Sequence, residues 1–424
     1  MNQRRRPSEA SRRQGWTSRR PSLAGLPRAD LAAGIGLVVI GVLSFSLLTG
    51  RLPIPGGNGG NGGTDGGPLR TATPSNIVIV DPRSDVLGSI LYVKAGNLWL
   101  QHGAKATAVT SGGHDSMASF SADGQWIYFI RTVDEGGRWR ISGQARRYRL
   151  STPSLMRIRV DGTGEPERLL LGKIVTGQYS WSYFLRQPVI SPDGTRIVVV
   201  TDGPDPTKSD VVLKALDPAT GKLTALSAPQ ISPLGHQDPA FSPDGRYLAF
   251  VKNARDGGRG APVIMRYDFT TGKATAITGP GYTSPAWSPD GRFLAVTRTT
   301  SFGTDVVILD ALRGSELLRV TSDERSFDPV WSPAGDAISY LSIDGGVTDL
   351  WLAKLDVSGV PALKGDPLAL TIAAGLDAAS RPGWWIPAEL LPTPTPSPTP
   401  SPTPIPTVIV PGSGGDLPSA STAP

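Results

Sequence analysis

Three histidines, a set of repeated aspartates and an arginine-rich stretch are the residues of this chain whose types suit chemistry. His102, His114 and His236 are the only imidazoles. A zinc site or a Ser-His-Asp relay needs such a ring with partners at fixed spacing. None of the three forms a His-x-x-x-His or His-Glu pair. The chain has no Cys, which removes disulfides, thiolate metal sites, a Cys nucleophile and a lipid-modified Cys. No G-x-S-x-G elbow occurs in the region expected to fold. The sequence therefore predicts no catalytic residue, no metal and no cofactor.

The aspartates Asp123, Asp193, Asp244 and Asp290 each sit in a Ser-Ala/Pro-Asp-Gly tetrad. One reading is a carboxylate set for a metal. The residue types favour a tight turn instead. Ser at the first position bonds the backbone ahead, Pro presets φ, and Gly at the fourth accepts positive φ. Thr220–Lys222 and Thr271–Lys273 both read TGK, like the end of a phosphate-binding loop. Neither has the preceding Gly or the following Ser or Thr of that loop.

The elements that carry these turns repeat. MASFSADGQWIYFI begins at Met117, QPVISPDGTRIVVV at Gln187 and DPAFSPDGRYLAFV at Asp238. SPAWSPDGRFLAVT begins at Ser284 and DPVWSPAGDAISYL at Asp328. The turn glycines are Gly124, Gly194, Gly245, Gly291 and Gly335, with spacings of 70, 51, 46 and 44. Each copy reads as strand, turn, strand. A second turn starting at Asp161, Asp217, Asp268, Asp310 or Asp356 implies two further strands per unit. Ile90–Thr110 reads as three strands lacking the first. Asp377–Pro387, DAASRPGWWIP, reads as that missing first strand. Joined, they close a ring without a free sheet edge. The expected fold is all-β, a six-bladed β-propeller over 76–387, with seven blades the alternative; Ile77–Val80 is a surplus strand.

The aromatic-Ser-Pro-Asp-Gly hairpins at Phe241–Gly245 and Trp287–Gly291 resemble the TolB-type propeller repeats, a WD40-like family, over roughly residues 89–387. The resemblance implies a propeller fold. The family includes a periplasmic component of a cell-envelope complex that binds other envelope proteins. It also includes propellers attached to serine peptidases. This chain differs from the first type in having a short linker where a separate N-terminal domain would be, and from the second in showing no hydrolase segment.

Two stretches stand out as binding candidates. The longest repeat has its surplus between Thr132 and Tyr179, rich in Arg with interleaved aromatics: Arg138, Trp139, Arg140, Arg146, Arg147, Tyr148 and Arg149. Cations and aromatics on a long hairpin suit a partner-binding surface; a solvated hairpin with outward Arg is the plain reading. In QYSWSYF, Tyr179, Trp181 and Tyr183 alternate and would share one face of an extended segment. Such a face is a stacking platform for sugar or peptide, or packing between blades.

Charge and hydropathy organise the remainder. Eight Arg within residues 1–30, against Glu9 and Asp30, account for the whole net charge of +6. The rest is formally neutral, so no basic face for nucleic acid is implied. Leu31–Thr49 is uncharged and long enough to span a bilayer. The arginines before it predict a cytoplasmic tail over 1–30, a transmembrane helix over 31–49 and an extracytoplasmic remainder. A cleaved or twin-arginine signal, from SRRPSLAG at Ser18, is the alternative. A Gly-rich linker over 50–75 and a Pro/Thr/Ser-rich disordered tail over 388–424 flank the propeller. The expectation is a monomeric single-pass membrane protein of the cell envelope, its propeller outside, binding an envelope protein or peptide. The alternative is an enzyme or carbohydrate-binding propeller with its site in the central funnel.

Overall fold

The structure is a computed structural model that describes residues 81–392, apart from 142, 207–209, 227–234 and 254–261. The basic tail, the apolar Leu31–Thr49, the Gly-rich linker, Ile77–Val80 and residues 393–424 lie outside the described residues. Among the described residues no helix is long and apolar enough to cross a membrane.

Six antiparallel sheets form the blades. Blade 1 is built from both ends: Gly383–Trp385 pairs with Ser89–Lys94, followed by Asn97–His102 and Lys105–Ala108. Blade 2 holds Asp115–Phe120, Trp126–Ile141, Gln144–Arg159 and Glu167–Leu171. Blade 3 holds Leu185–Ile190, Ile197–Thr201, Val212–Asp217 and Lys222–Ala225. Blade 4 holds His236–Phe241, Tyr247–Lys252, Val263–Asp268 and Lys273–Pro280. Blade 5 holds Tyr282–Trp287, Phe293–Thr299, Thr304–Asp310 and Glu316–Arg319. Blade 6 holds Ser326–Trp331, Ala337–Asp344 and Val347–Asp356, then two short pieces, Ala362–Leu363 and Leu368–Ala369. The first strand of each blade touches the first strands of both neighbours, so these six strands form the inner wall of a closed ring.

The second strands explain why the repeats read as unbroken apolar runs. Ile197–Thr201 is buried at every position. Alternate side chains serve opposite seams. Ile197 and Val199 pack with Tyr128 and Leu155 of blade 2, while Val198 and Val200 pack with Leu248 and Phe250 of blade 4. Each of the other four seams has a comparable apolar cluster, including the one where Ile90 and Tyr92 meet Leu341 and Leu350. A sheet buried on both faces needs no polar alternation.

The Ser-Pro-Asp-Gly turns lie side by side along one rim. A Cβ on Gly245, Gly291 or Gly335 would meet the turn proline of the preceding blade, Pro192, Pro243 or Pro289, and one on Gly124 would meet the ring of Trp385. Trp385 thus stands at the seam in the place of a turn. Blade 1 has its chain ends at this same rim, where Ser89 pairs with Trp385. The link between second and third strands lies at the opposite rim. In blade 2 those strands are 16 residues each, so their hairpin projects from the rim opposite the chain ends.

Candidate functional site

The turn aspartates are structural. In blade 4 the Ser242 hydroxyl donates to Asp244 Oδ1 at 2.6 Å and accepts from the Tyr247 amide at 2.8 Å, and Asp244 also accepts from the Arg246 amide at 3.0 Å. Blades 2 and 5 repeat this at Ser121–Asp123 and Ser288–Asp290, at 2.5 and 2.6 Å, and blade 3 at Ser191–Asp193. The Ser191 hydroxyl, then the Thr195 amide, pull Asp193 down to about 2. The TGK stretches are also turns, with Gly221 and Gly272 at φ of 68° and 67°. No cluster of three or more metal-ligating side chains occurs among the described residues.

The arginine hairpin of blade 2 starts from a fixed root. Arg131 donates to both oxygens of the fully buried Asp115 at 2.6 and 2.9 Å. Beyond it the two strands pair in unbroken register, Arg138 opposite Arg147 and Trp139 opposite Arg146. Directly opposed residues share a face. One face therefore carries Glu135, Gly137, Trp139, Arg146, Tyr148 and Leu150. The other carries Asp134, Arg138, Arg140, Arg147 and Arg149.

A second hairpin, Lys173–Thr176 with Tyr179–Ser182, covers the first face. Trp139 meets Tyr179 and Trp181 edge-on, at centroid distances of 6.2 and 5.1 Å. The Tyr148 hydroxyl donates to the Ser180 carbonyl at 2.6 Å, and Lys173 Nζ lies 2.7 Å from Glu135. Gly137 is required here, because a Cβ would sit 2.7 Å from the Tyr148 ring. The two sequence candidates are thus one assembly, in which the aromatics brace the long hairpin. Tyr183 departs from the expected shared face. The strand ends at Ser182, and Tyr183 turns inward to donate to the Leu171 carbonyl at 2.9 Å, 6% exposed and against Gly203.

On the open face Arg138, Arg140, Arg147 and Arg149 are all exposed. Arg149 pairs with Asp134. Arg138, Arg140 and Arg147 have no acidic partner among the described residues. The cations of this surface are all guanidinium groups.

The inner wall holds a second arrangement. Each of five inner strands has a bulge with one residue in the left-handed region: Met117, Gln187, Asp238, Ser284 and Asp328, at φ of 46–53°. Arg381 occupies the equivalent place in blade 1, two residues before Gly383. Their side chains link the blades. Gln187 Nε2 donates to Asp238 Oδ1 at 2.6 Å, and the Asp238 amide returns a bond to Gln187 Oε1 at 2.9 Å. The Ser284 hydroxyl donates to Asp328 Oδ1 at 2.5 Å and lies 3.4 Å from Asp238 Oδ2. Arg381 Nη1 donates to the Pro285 carbonyl at 2.9 Å. Asp328 is half-buried among these groups. Desolvation, opposed by Arg381 and reinforced by Asp238, pushes its carboxyl up to about 6. This ring was not anticipated from the sequence. Its signal is that the residue before the repeated proline of the first strand varies (Gln187, Asp238, Ser284, Asp328, Arg381) while its neighbours repeat.

A cavity of about 450 Å³ lies between blades 5 and 6 on the turn rim, lined by Arg292, Phe293, Leu312 and Val360 among others. It contains no residue of either arrangement.

Residues 160–365 match the family model described as TolB beta propeller domain. No curated protein matches the chain. Similar solved structures include TolB from Acinetobacter baumannii, 20% identical with a TM-score of 0.49, covering 70% of this chain and 66% of that one. The chain thus spans slightly less than two thirds of that protein's length. A putative TolB from Agrobacterium tumefaciens is 18% identical with a TM-score of 0.47, covering 70% of this chain and 92% of that one. An oligogalacturonate lyase in complex with manganese is 16% identical with a TM-score of 0.41, covering 62% and 83%. With the family match and five repeats in register, the β-propeller of this chain is of the TolB type.

Proposed function

We propose that this chain is a membrane-anchored, extracytoplasmic scaffold that binds an envelope protein or peptide through the long hairpin of blade 2. The observation that carries this reading is the braced hairpin itself. A second hairpin braces one face, and the other presents exposed arginines, of which Arg138, Arg140 and Arg147 have no acidic partner among the described residues. Arg is the cation most used in recognition surfaces. The apolar Leu31–Thr49 behind an Arg-rich tail supports the anchor and its orientation. Full-length protein and a form with the hairpin shortened to ordinary blade length serve as paired baits in solubilised envelopes. Loss of specific captured proteins from the shortened form is the expected result; identical sets from both baits contradict it.

A site in the central funnel is the second reading, favoured by one observation: the carboxylates of Asp238 and Asp328 both reach Ser284. Paired carboxylates in one pocket are what glycoside chemistry or sugar binding uses. Calorimetry with acidic and neutral oligosaccharides tests it. Binding that Asp238→Asn abolishes would support the funnel, and an absence of heat would remove it.

A further inference from the structure

We infer that the open face of the blade 2 hairpin takes an extended acidic peptide, with carboxylates at alternate residues. The inference rests on the proposed role of that hairpin and specifies its partner's chemistry.

Arg138 and Arg140 are two residues apart on one strand, and Arg147 stands directly opposite Arg138. Alternate residues on a strand lie ~7 Å apart on the same face. Alternate side chains of an extended peptide have that same spacing, so Asp or Glu at i and i+2 meets Arg138 and Arg140 in register. Arg147 adds a second cation beside the first. A guanidinium engages a carboxylate with two parallel N–H donors, a match of shape as well as charge. All the cations on this face are Arg, and none is Lys.

Two other polyanions fit less well. A nucleic acid needs a broad basic field, whereas the chain beyond residue 30 has equal numbers of acidic and basic side chains and this face is two strands wide. An anionic lipid surface presents headgroup charges with no fixed ~7 Å spacing to match Arg138 and Arg140 on one strand. Asp134, on the same face, is held by Arg149 and by the Ser151 hydroxyl at 2.5 Å. It marks the end of the cationic stretch toward the blade.

Fluorescence anisotropy on the detergent-solubilised full chain tests this. The probes are a labelled dodecapeptide alternating Glu and Ser, its Gln counterpart, a single-stranded oligonucleotide, and phosphatidylglycerol vesicles. The expected result is saturable binding of the Glu peptide, weakened on raising the salt, with no binding of the Gln peptide. Combined Arg138→Glu, Arg140→Glu and Arg147→Glu should weaken the Glu peptide at least tenfold without changing the thermal midpoint. Lys at the same three positions should give a smaller loss of severalfold, since charge remains and the fork is gone. Equal binding by wild type and the Glu variant overturns the inference. So does tighter binding of the oligonucleotide or the vesicles than of the peptide. If hairpin shortening changes the captured proteins while neither form binds the Glu peptide, the inference fails and the proposed function stands. If the peptide binds but the captured proteins are unchanged, the proposed function fails alone.

Discussion

The indole Nε1 of Trp384 donates to the carbonyl of Leu87 at 3.0 Å, across 297 residues of sequence. This bond sits at the seam where the last strand of the ring pairs with the first, Ser89 opposite Trp385 and Leu91 opposite Gly383. The seam puts both ends of the propeller on one rim and leaves the other rim to the long hairpin.

Breaking the seam should cost cooperativity. Truncation after Leu376 strips the inner edge from Ser89–Lys94 and bares Ile90 and Leu91, both fully buried. An exposed apolar edge strand is an aggregation site. The truncated chain is expected to lose its sharp thermal transition and to aggregate, as seen by scanning calorimetry and light scattering. A milder lesion is Gly88→Ala. The new Cβ would lie 2.2 Å from the Trp385 carbonyl oxygen at a φ of +76°, with an expected loss of about 2–4 kcal/mol.

The repeated turns should matter for stability and not for recognition. Ser242 is 2% exposed and supplies both an acceptor to Tyr247 and a donor to Asp244. Ser242→Ala leaves the Tyr247 amide without that acceptor, with an expected cost of about 1–3 kcal/mol. Denaturant unfolding reads this, and peptide binding at the hairpin should be unchanged.

Half-buried Asp328 and buried His236 should oppose each other in mild acid. Asp328 is pushed up to about 6 from 3.8, so the folded state holds a proton that the unfolded state releases. Its contribution is fully present below about pH 4 and is lost as pH rises through 6. Asp328→Asn removes that dependence and is expected to stabilise by about 1–3 kcal/mol at pH 7 relative to wild type, with the gain vanishing near pH 4. Thr297, Ser284, Asp238, Asp377 and Arg381 surround the group. His236 behaves in the opposite sense. Burial, then Lys252, holds it down to about 4 from 6.5. Its contribution is fully present above 6.5 and is lost as pH falls through 4, by about 2–3 kcal/mol. In a pH series of chemical denaturations, Asp328→Asn should show steeper acid loss than wild type, and His236→Phe a shallower one. Parallel curves for all three proteins would remove both assignments.

The brace beneath the hairpin should be separable from its cationic face. Trp139, 44% exposed, is the contact with Tyr179 and Trp181. Trp139→Ala is expected to raise amide exchange in Thr132–Ile141 and Gln144–Thr152 while leaving the propeller transition within about 1 kcal/mol. Hydrogen exchange with mass spectrometry resolves the two regions.

The blades were legible in the sequence because one turn chemistry recurs in register with runs buried on both faces. The composite blade was legible for the same reason: Gly383–Trp385 keeps the apolar part of the motif after its turn is lost. The bracing of one hairpin by the other was not, since nothing local encodes which loops meet across a rim. Tyr183 misled because alternation assigns a shared face only while a strand lasts, and here the Tyr183 amide bonds back to Gly172 at 3.1 Å. The inner ring was hidden by its bulges. A left-handed residue before proline breaks the period-two reading, so Gln187, Asp238 and Asp328 looked like ordinary strand positions.

The most direct measurement places a photo-crosslinking amino acid at position 147, on the open hairpin face, or at position 312, where Leu312 is 73% exposed at the turn rim. Each protein is expressed in its native host cells and irradiated. A discrete protein adduct from position 147, lost when Arg138 and Arg140 are reversed in charge and absent from position 312, is the expected result. Adducts from position 312 with none from position 147 would contradict the account.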